Sequence, residues 1–139
     1  MADETFVADD WLFSTLSGDA TLAAIVGNRI YPSPPAPSTA YPLIIVELLA
    51  APLRKTADDT VIWVEADYLI KVYVKGRSYN NARAAAFRVN ELLHKKRGTT
   101  ADGIVVSSSR VETQRGAEEE SDAQYRWVGG IYQLLAQST

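Results

Sequence analysis

The chain has 139 residues, the size of one domain with a modest core, at 47% hydrophobic and 22% charged. A net charge of -3 and a pI near 5.1 argue against nucleic acid as the main ligand. The absence of cysteine excludes disulfides, thiolate metal sites and thiol nucleophiles, and no apolar run is long enough for a signal peptide or a membrane span, so a soluble, intracellular protein is expected.

Thr5 to Leu16 reads as a short helix, with Phe6, Trp11, Leu12, Phe13 and Leu16 on and around one side. Ser17-Gly18 ends it. Asp19 is placed to cap a second, shorter helix through Leu22, Ala23, Ile25 and Val26, with Gly27-Asn28 as its stop. Arg29-Ile30-Tyr31 is a brief extended piece. Pro32 to Pro37 must run as a polyproline-like segment, a surface connector or a stiff docking arm. Leu43 to Leu49, broken only by Glu47, suits a largely covered strand. Ala51 to Thr60 reads as a polar hairpin loop carrying Arg54, Lys55, Asp58 and Asp59.

Val61 to Val74 alternates. Ile62, Val64, Ala66, Tyr68, Ile70, Val72 and Val74 point one way, while Glu65, Asp67, Lys71 and Lys75 point the other. A polar turn follows, with Ser78 or Asn80 able to cap the one long helix, whose stripe is Ala82, Ala85, Ala86, Val89, Leu92 and Leu93. Lys95, Lys96 and Arg97 fall in its expected last turn, which Gly98 closes. Gly103 opens a strand through Ile104, Val105, Val106 and Val111. Gln114 to Ala123 reads as a polar connection holding Glu118-Glu119-Glu120 and Asp122, and Tyr125 to Leu135 is the last strand. The expected fold is α+β over residues 1–139: a four-stranded, mainly antiparallel sheet with one long helix and short N-terminal helices packed on it.

Such a fold leaves apolar surface over. Trp63, Leu69 and Tyr73 lie on the outward side of the central strand, and the last strand is apolar on both sides, with Tyr125, Trp127 and Ile131 opposite Val128, Tyr132 and Leu134. Aromatics set among charges are what a subunit interface looks like. The competing reading folds the N-terminal helices over that face.

Catalytic chemistry is hard to assemble. His94, the only histidine, sits among lysines near a helix end, and no HExxH, GxSxG or GxxxxGK[ST] pattern occurs. Gly129-Gly130 lies inside a strand, so it reads as a bulge or close backbone contact rather than a phosphate loop. The best enzymatic case is a Mg²⁺-dependent nuclease using Glu65, Asp67 and Lys71, but alternating charges on a strand face usually form cross-strand ion pairs. Glu118 to Asp122 lacks EF-hand spacing. No catalytic, metal or cofactor residue is assigned.

Gly27-Asn28-Arg29-Ile30-Tyr31-Pro32, Ala36-Pro37 and Tyr41-Pro42-Leu43-Ile44-Ile45-Val46, followed by the alternating strand and the alanine-rich helix, resemble the tail-completion, or tail-terminator, proteins of tailed phages and phage-derived particles. The likeness covers nearly the whole chain as an ordered set of short motifs. This chain departs from it in the lengthened proline stretch and the acidic segment. The resemblance implies a structural protein, not an enzyme, that forms a ring, typically of six copies, at the head-proximal end of the tail tube. There it ends tube polymerisation and meets the head connector or stopper, while DNA passes through without specific contact. On that reading Trp63, Leu69, Tyr73, Tyr125, Trp127, Arg54, Lys55, Asp58 and Asp59 are interface candidates, and Glu118, Glu119, Glu120 and Asp122 line the lumen or a docking rim. The partners would be further copies, the tube protein and the connector, with no membrane, in a virion assembled in host cytoplasm. Another neck component, such as a stopper, and a small monomeric binding module stand as alternatives.

Overall fold

A computed structural model describes residues 4–33, 40–55, 57, 61–76, 79–120 and 123–138. The expectations for Pro34 to Pro37, Asp58, Asp59, Ser78 and Asp122 lie outside the described residues, as do the side chains of Lys55, Ile62, Glu119 and Glu120.

Helix α1 (Glu4–Ser17) turns Val7, Ala8, Trp11, Leu12 and Leu16 inward at three- and four-residue spacing. In α2 (Ala20–Val26) the Asp19 carboxylate accepts the Leu22 N–H at 2.8 Å, and Gly27, at φ 62°, ends the helix with its N–H on the Ala23 carbonyl. Strands β1 (Ile30–Tyr31), β2 (Leu43–Ala50), β3 (Leu53–Lys55) and β4 (Val61–Lys75) lead into α3 (Asn80–Leu93). Strands β5 (Lys96–Thr99), β6 (Gly103–Glu120) and β7 (Ala123–Ser138) complete the chain. They form one 7-stranded sheet in the order β1-β2-β4-β7-β6-β5, with β3 also paired to β4. The β1–β2 pair is parallel and the other pairings are antiparallel. β2 and β3 lie end to end along one edge of β4. Between them Pro52 has no N–H to give, and its carbonyl takes the Glu65 N–H at 3.0 Å.

All three helices pack on one face. There Val64, Ala66, Tyr68, Ile70, Val72 and Val74 of β4 meet Tyr132, Leu134 and Ala136 of β7, under the α1 stripe and Ala82, Ala85, Val89 and Leu93 of α3. Each fully buried large side chain contributes about 1.5–3 kcal/mol to this core. The Tyr68 hydroxyl donates to Asp9 and ties α1 to β4. Burial, and then the Asp9 carboxylate, push the Tyr68 phenol well above its usual pKa. Arg88 of α3 forks onto the Asp19 carboxylate at 2.6 and 2.9 Å, joining α3 to α2. These hydrogen bonds, with that from Leu22, lower the Asp19 pKa to about 2. Gly98 lies so close to the Trp11 indole that a Cβ there would stand 2.0 Å from Nε1.

The expected α+β fold with a four-stranded sheet and one long helix is overturned: the described chain is mostly β, its sheet has seven strands, and α1 and α3 are both 14 residues long. Gln114 to Ala123 is not a connection. β6 runs 18 residues to Glu120, and β7 begins at Ala123, paired to it. From Glu112 to Glu118 its residues are polar or small and mostly exposed, so no apolar alternation marks it. The expected loop at Ala51 to Thr60 contains β3, because the backbone continues alongside β4 after Pro52. The basic run Lys95 to Arg97 is not a last helical turn. α3 stops at Leu93, Lys95 takes a left-handed φ of 57°, and Lys96 opens β5. Asn80 is the first helical residue, and the cap position falls to Tyr79, whose side chain makes no cap bond. Leu43 to Val46 are buried as expected of a covered strand, but Leu48 and Leu49 are exposed.

Candidate subunit-contact face

Among the described residues no helix lies over the second face of the sheet. On β4 this face carries Trp63, Glu65, Asp67, Leu69, Lys71 and Tyr73, and on β7 their neighbours Tyr125, Trp127, Gly129, Ile131 and Gln133. At one end a second, smaller apolar cluster forms from Leu43, Ile45 and Tyr73, flanked by the partly buried Tyr31, Tyr41, Tyr125 and Trp127. It is made entirely from strands and the segment leading into β2. The rings of Tyr41 and Tyr125 stand 5.2 Å apart and those of Tyr73 and Trp127 6.4 Å apart, both tilted, as aromatic quadrupoles prefer. The Lys71 ammonium lies 4.8 Å from the Trp127 ring centre and 6.0 Å from that of Tyr73.

The Tyr73 hydroxyl donates to Glu118 Oε1 at 3.1 Å. Burial first, and the Glu118 charge second, push this phenol above its ordinary pKa, so it stays a donor at any neutral pH. Gly129 sits inside this array, where a Cβ would lie 1.9 Å from the Ile70 carbonyl oxygen. The glycine pair is therefore a close backbone contact, one of the two readings its position in a strand allows. Trp63, Leu69, Tyr125 and Trp127 all remain half-buried, and none is covered by a helix of the described residues.

The flanking charges are cross-strand pairs. Arg54 of β3 holds both Glu65 oxygens at 2.8 and 3.0 Å, which lowers the Glu65 pKa and raises that of Arg54. Lys71 reaches Glu47 at 4.0 Å. The three residues of the nuclease alternative are thereby drawn apart. Strand rise separates Glu65 from Asp67 by about 7 Å and Asp67 from Lys71 by about 13 Å. Glu65 and Lys71 are each engaged elsewhere. Among the described residues no group of three His, Asp or Glu side chains stands close enough to hold a metal, and no helix is long and apolar enough to cross a membrane. His94 caps the end of α3, its Nδ1 accepting the Arg110 N–H at 3.0 Å.

Sequence reading grouped Trp63, Leu69, Tyr73, Tyr125 and Trp127 on one surface, and the register does so too. It missed Tyr31, Tyr41, Leu43 and Ile45. The available signal was the four-residue apolar run from Leu43 to Val46, which marks a strand greasy on both sides. Glu118 belongs to this face, at the far end of the β6–β7 pair.

The architecture is thus a mostly antiparallel sheet with its helices on one side and an aromatic, charge-edged surface on the other. A solved structure shares it: a chain of the "Virion of native gene transfer agent (GTA) particle" matches over 97% of this chain and 99% of its own, at TM-score 0.69 and 21% identity. At that identity the likeness is one of fold. No protein-family profile and no curated protein matches the sequence.

Proposed function

We propose that this chain is a structural protein of a phage-like particle, a head–tail joining component of the terminator type. In this reading copies close into a ring, of six by the family resemblance, at the head-proximal end of the tail tube. The ring ends tube growth, meets the head connector and lets DNA through its lumen. The observation that carries the reading is the fold shared end to end with a virion chain. The helix-free face with Tyr73, Tyr125 and Trp127 supports it, because aromatic surface rimmed by paired charges suits association between copies. Trp63 and Leu69 extend that interface with Arg54 beside them, and Lys55, Asp58 and Asp59 are further candidates for it. Glu118, Glu119, Glu120 and Asp122 remain the candidates for the lumen or a docking rim. A domain that assembles through two different surfaces gives a closed ring when the rotation between copies divides a full turn.

The test is the mass of the purified chain by light scattering, alone and with tube protein, with negative-stain microscopy of the product. Rings that cap tube ends are expected. A chain that stays monomeric in both conditions, and tubes that grow without limit beside it, would sink the proposal.

A further inference from the structure

On the helix-covered face a cavity of about 310 Å³ opens between α3 and the β6–β7 pair. Its lining joins apolar side chains, among them Val72 and Val128, to two arginines: Arg83 from α3 and Arg110 from β6. Phe87, 67% exposed, stands in the same lining. Arg110 is held in place. Its N–H is fixed by His94, and its stem lies over Gly130, where a Cβ would come within 3.1 Å of Arg110 Cδ and 2.5 Å of the Glu112 carbonyl. Arg115 pairs with Val128 and Arg126 with Val74, so both extend positive charge along this face toward the hairpin end. Among the described residues no carboxylate pairs with Arg83, Arg110 or Arg115. Two like charges beside an apolar pocket and an exposed aromatic ring make a surface that an anionic protein segment would complete.

The β6 strand of the same hairpin ends in Glu118-Glu119-Glu120, which Ser121 and Asp122 follow in the sequence. It cannot serve its own cavity. Arg110 and Glu118 pair with Tyr132 and Tyr125, seven residues apart on β7, which is about 24 Å by strand rise, and the pairing continues past the bulge after Arg110 without a fold-back to Glu120 opposite Ala123. We infer that the acidic end of the β6–β7 hairpin of one copy docks at the Arg83–Arg110 cavity of a second copy. This rests on the proposal that copies associate, and it adds to the helix-free face a second contact between them. Cavity and hairpin end are different surfaces, so each copy gives one and receives one, the head-to-tail contact a ring needs.

The chain's lack of cysteine makes the test clean. Phe87→Cys and Glu119→Cys variants are mixed and treated with a short bismaleimide. The mixed cross-link should form about tenfold faster than either like-with-like product, since complementary charge speeds encounter. Adding Arg83→Glu and Arg110→Glu to the Phe87→Cys partner should abolish that excess, with an unchanged circular dichroism melt showing that the variant folds. A mixed product no faster than the others, or an excess that survives both arginine reversals, overturns the inference. Rings of the unmodified chain without the mixed cross-link would overturn it and leave the terminator proposal standing. The mixed cross-link with only open chains in the microscope would support the docking and sink the ring.

Discussion

The two faces of the sheet are built from the same strands yet serve different ends. On one face Leu134, Tyr68 and Val64 have at most 1% of their surface exposed beneath helices that the chain itself supplies. On the other, Trp127 and Tyr125 are half-buried by neighbours in the same sheet and covered by none of the described helices. Apolar area under a helix stabilises the fold; apolar area left beside water stabilises whatever comes to cover it. Substitutions on the two faces should therefore separate stability from assembly.

The largest effect is expected on the helix-covered face. Leu134→Ala leaves a cavity that the surrounding side chains fill poorly, and urea unfolding should report a loss of about 2–5 kcal/mol. On the open face Trp127→Ala removes the Tyr73 ring contact and the Lys71 cation–π contact, for a loss of about 1–2 kcal/mol in folding. Light scattering should then show association weakened at least about tenfold. If Trp127→Ala destabilises the fold as much as Leu134→Ala while association is intact, the distinction between the faces is wrong.

A third test concerns the helix layer alone. The Asp19 pKa is lowered in the folded chain to about 2 from 3.8, so the stabilisation by Arg88 and the Leu22 N–H is fully present above pH 4. It should be lost as pH falls from about 4 toward 2. Asp19→Asn should lower the melting temperature at neutral pH and flatten the melt's dependence on pH in that window. The smallest effect belongs to Arg54→Ala. Its pair with Glu65 is exposed on the arginine side, and the melting temperature should stay within error. A clear drop would mean that the open face contributes more to the monomer than its exposure suggests.

The sequence revealed what had one wet side and hid what had two. β4 alternates because its faces differ, so Val64 to Val74 and the aromatics opposite could both be assigned from period two alone. The α3 stripe was equally plain, and so were the Asp19 cap and the Gly27 stop. The far half of β6, Glu112 to Glu120, is polar on both sides and is held as strand only by its register with β7. Nothing local in it favours strand over loop. β5 is four residues of basic and small side chains whose strand character comes from β6, and the same lysines look like a helix end when read alone. The arginine-lined cavity was out of reach for a related reason. Arg83 and Arg110 are 27 positions apart in the chain and meet only because α3 lies across β7 beside β6.

Beyond Ser108 no described strand borders β6 on its outer side, so its far half is a sheet edge carried by β7, which itself stays paired to β4 as far as Tyr125. The geometry of the β6–β7 hairpin obeys a parity. Adding two residues to each strand would lengthen its span by about 7 Å and keep the arginines and acids on their present sides. Adding one to each would exchange those sides. Related chains that lengthen or shorten this hairpin should differ from it by even steps.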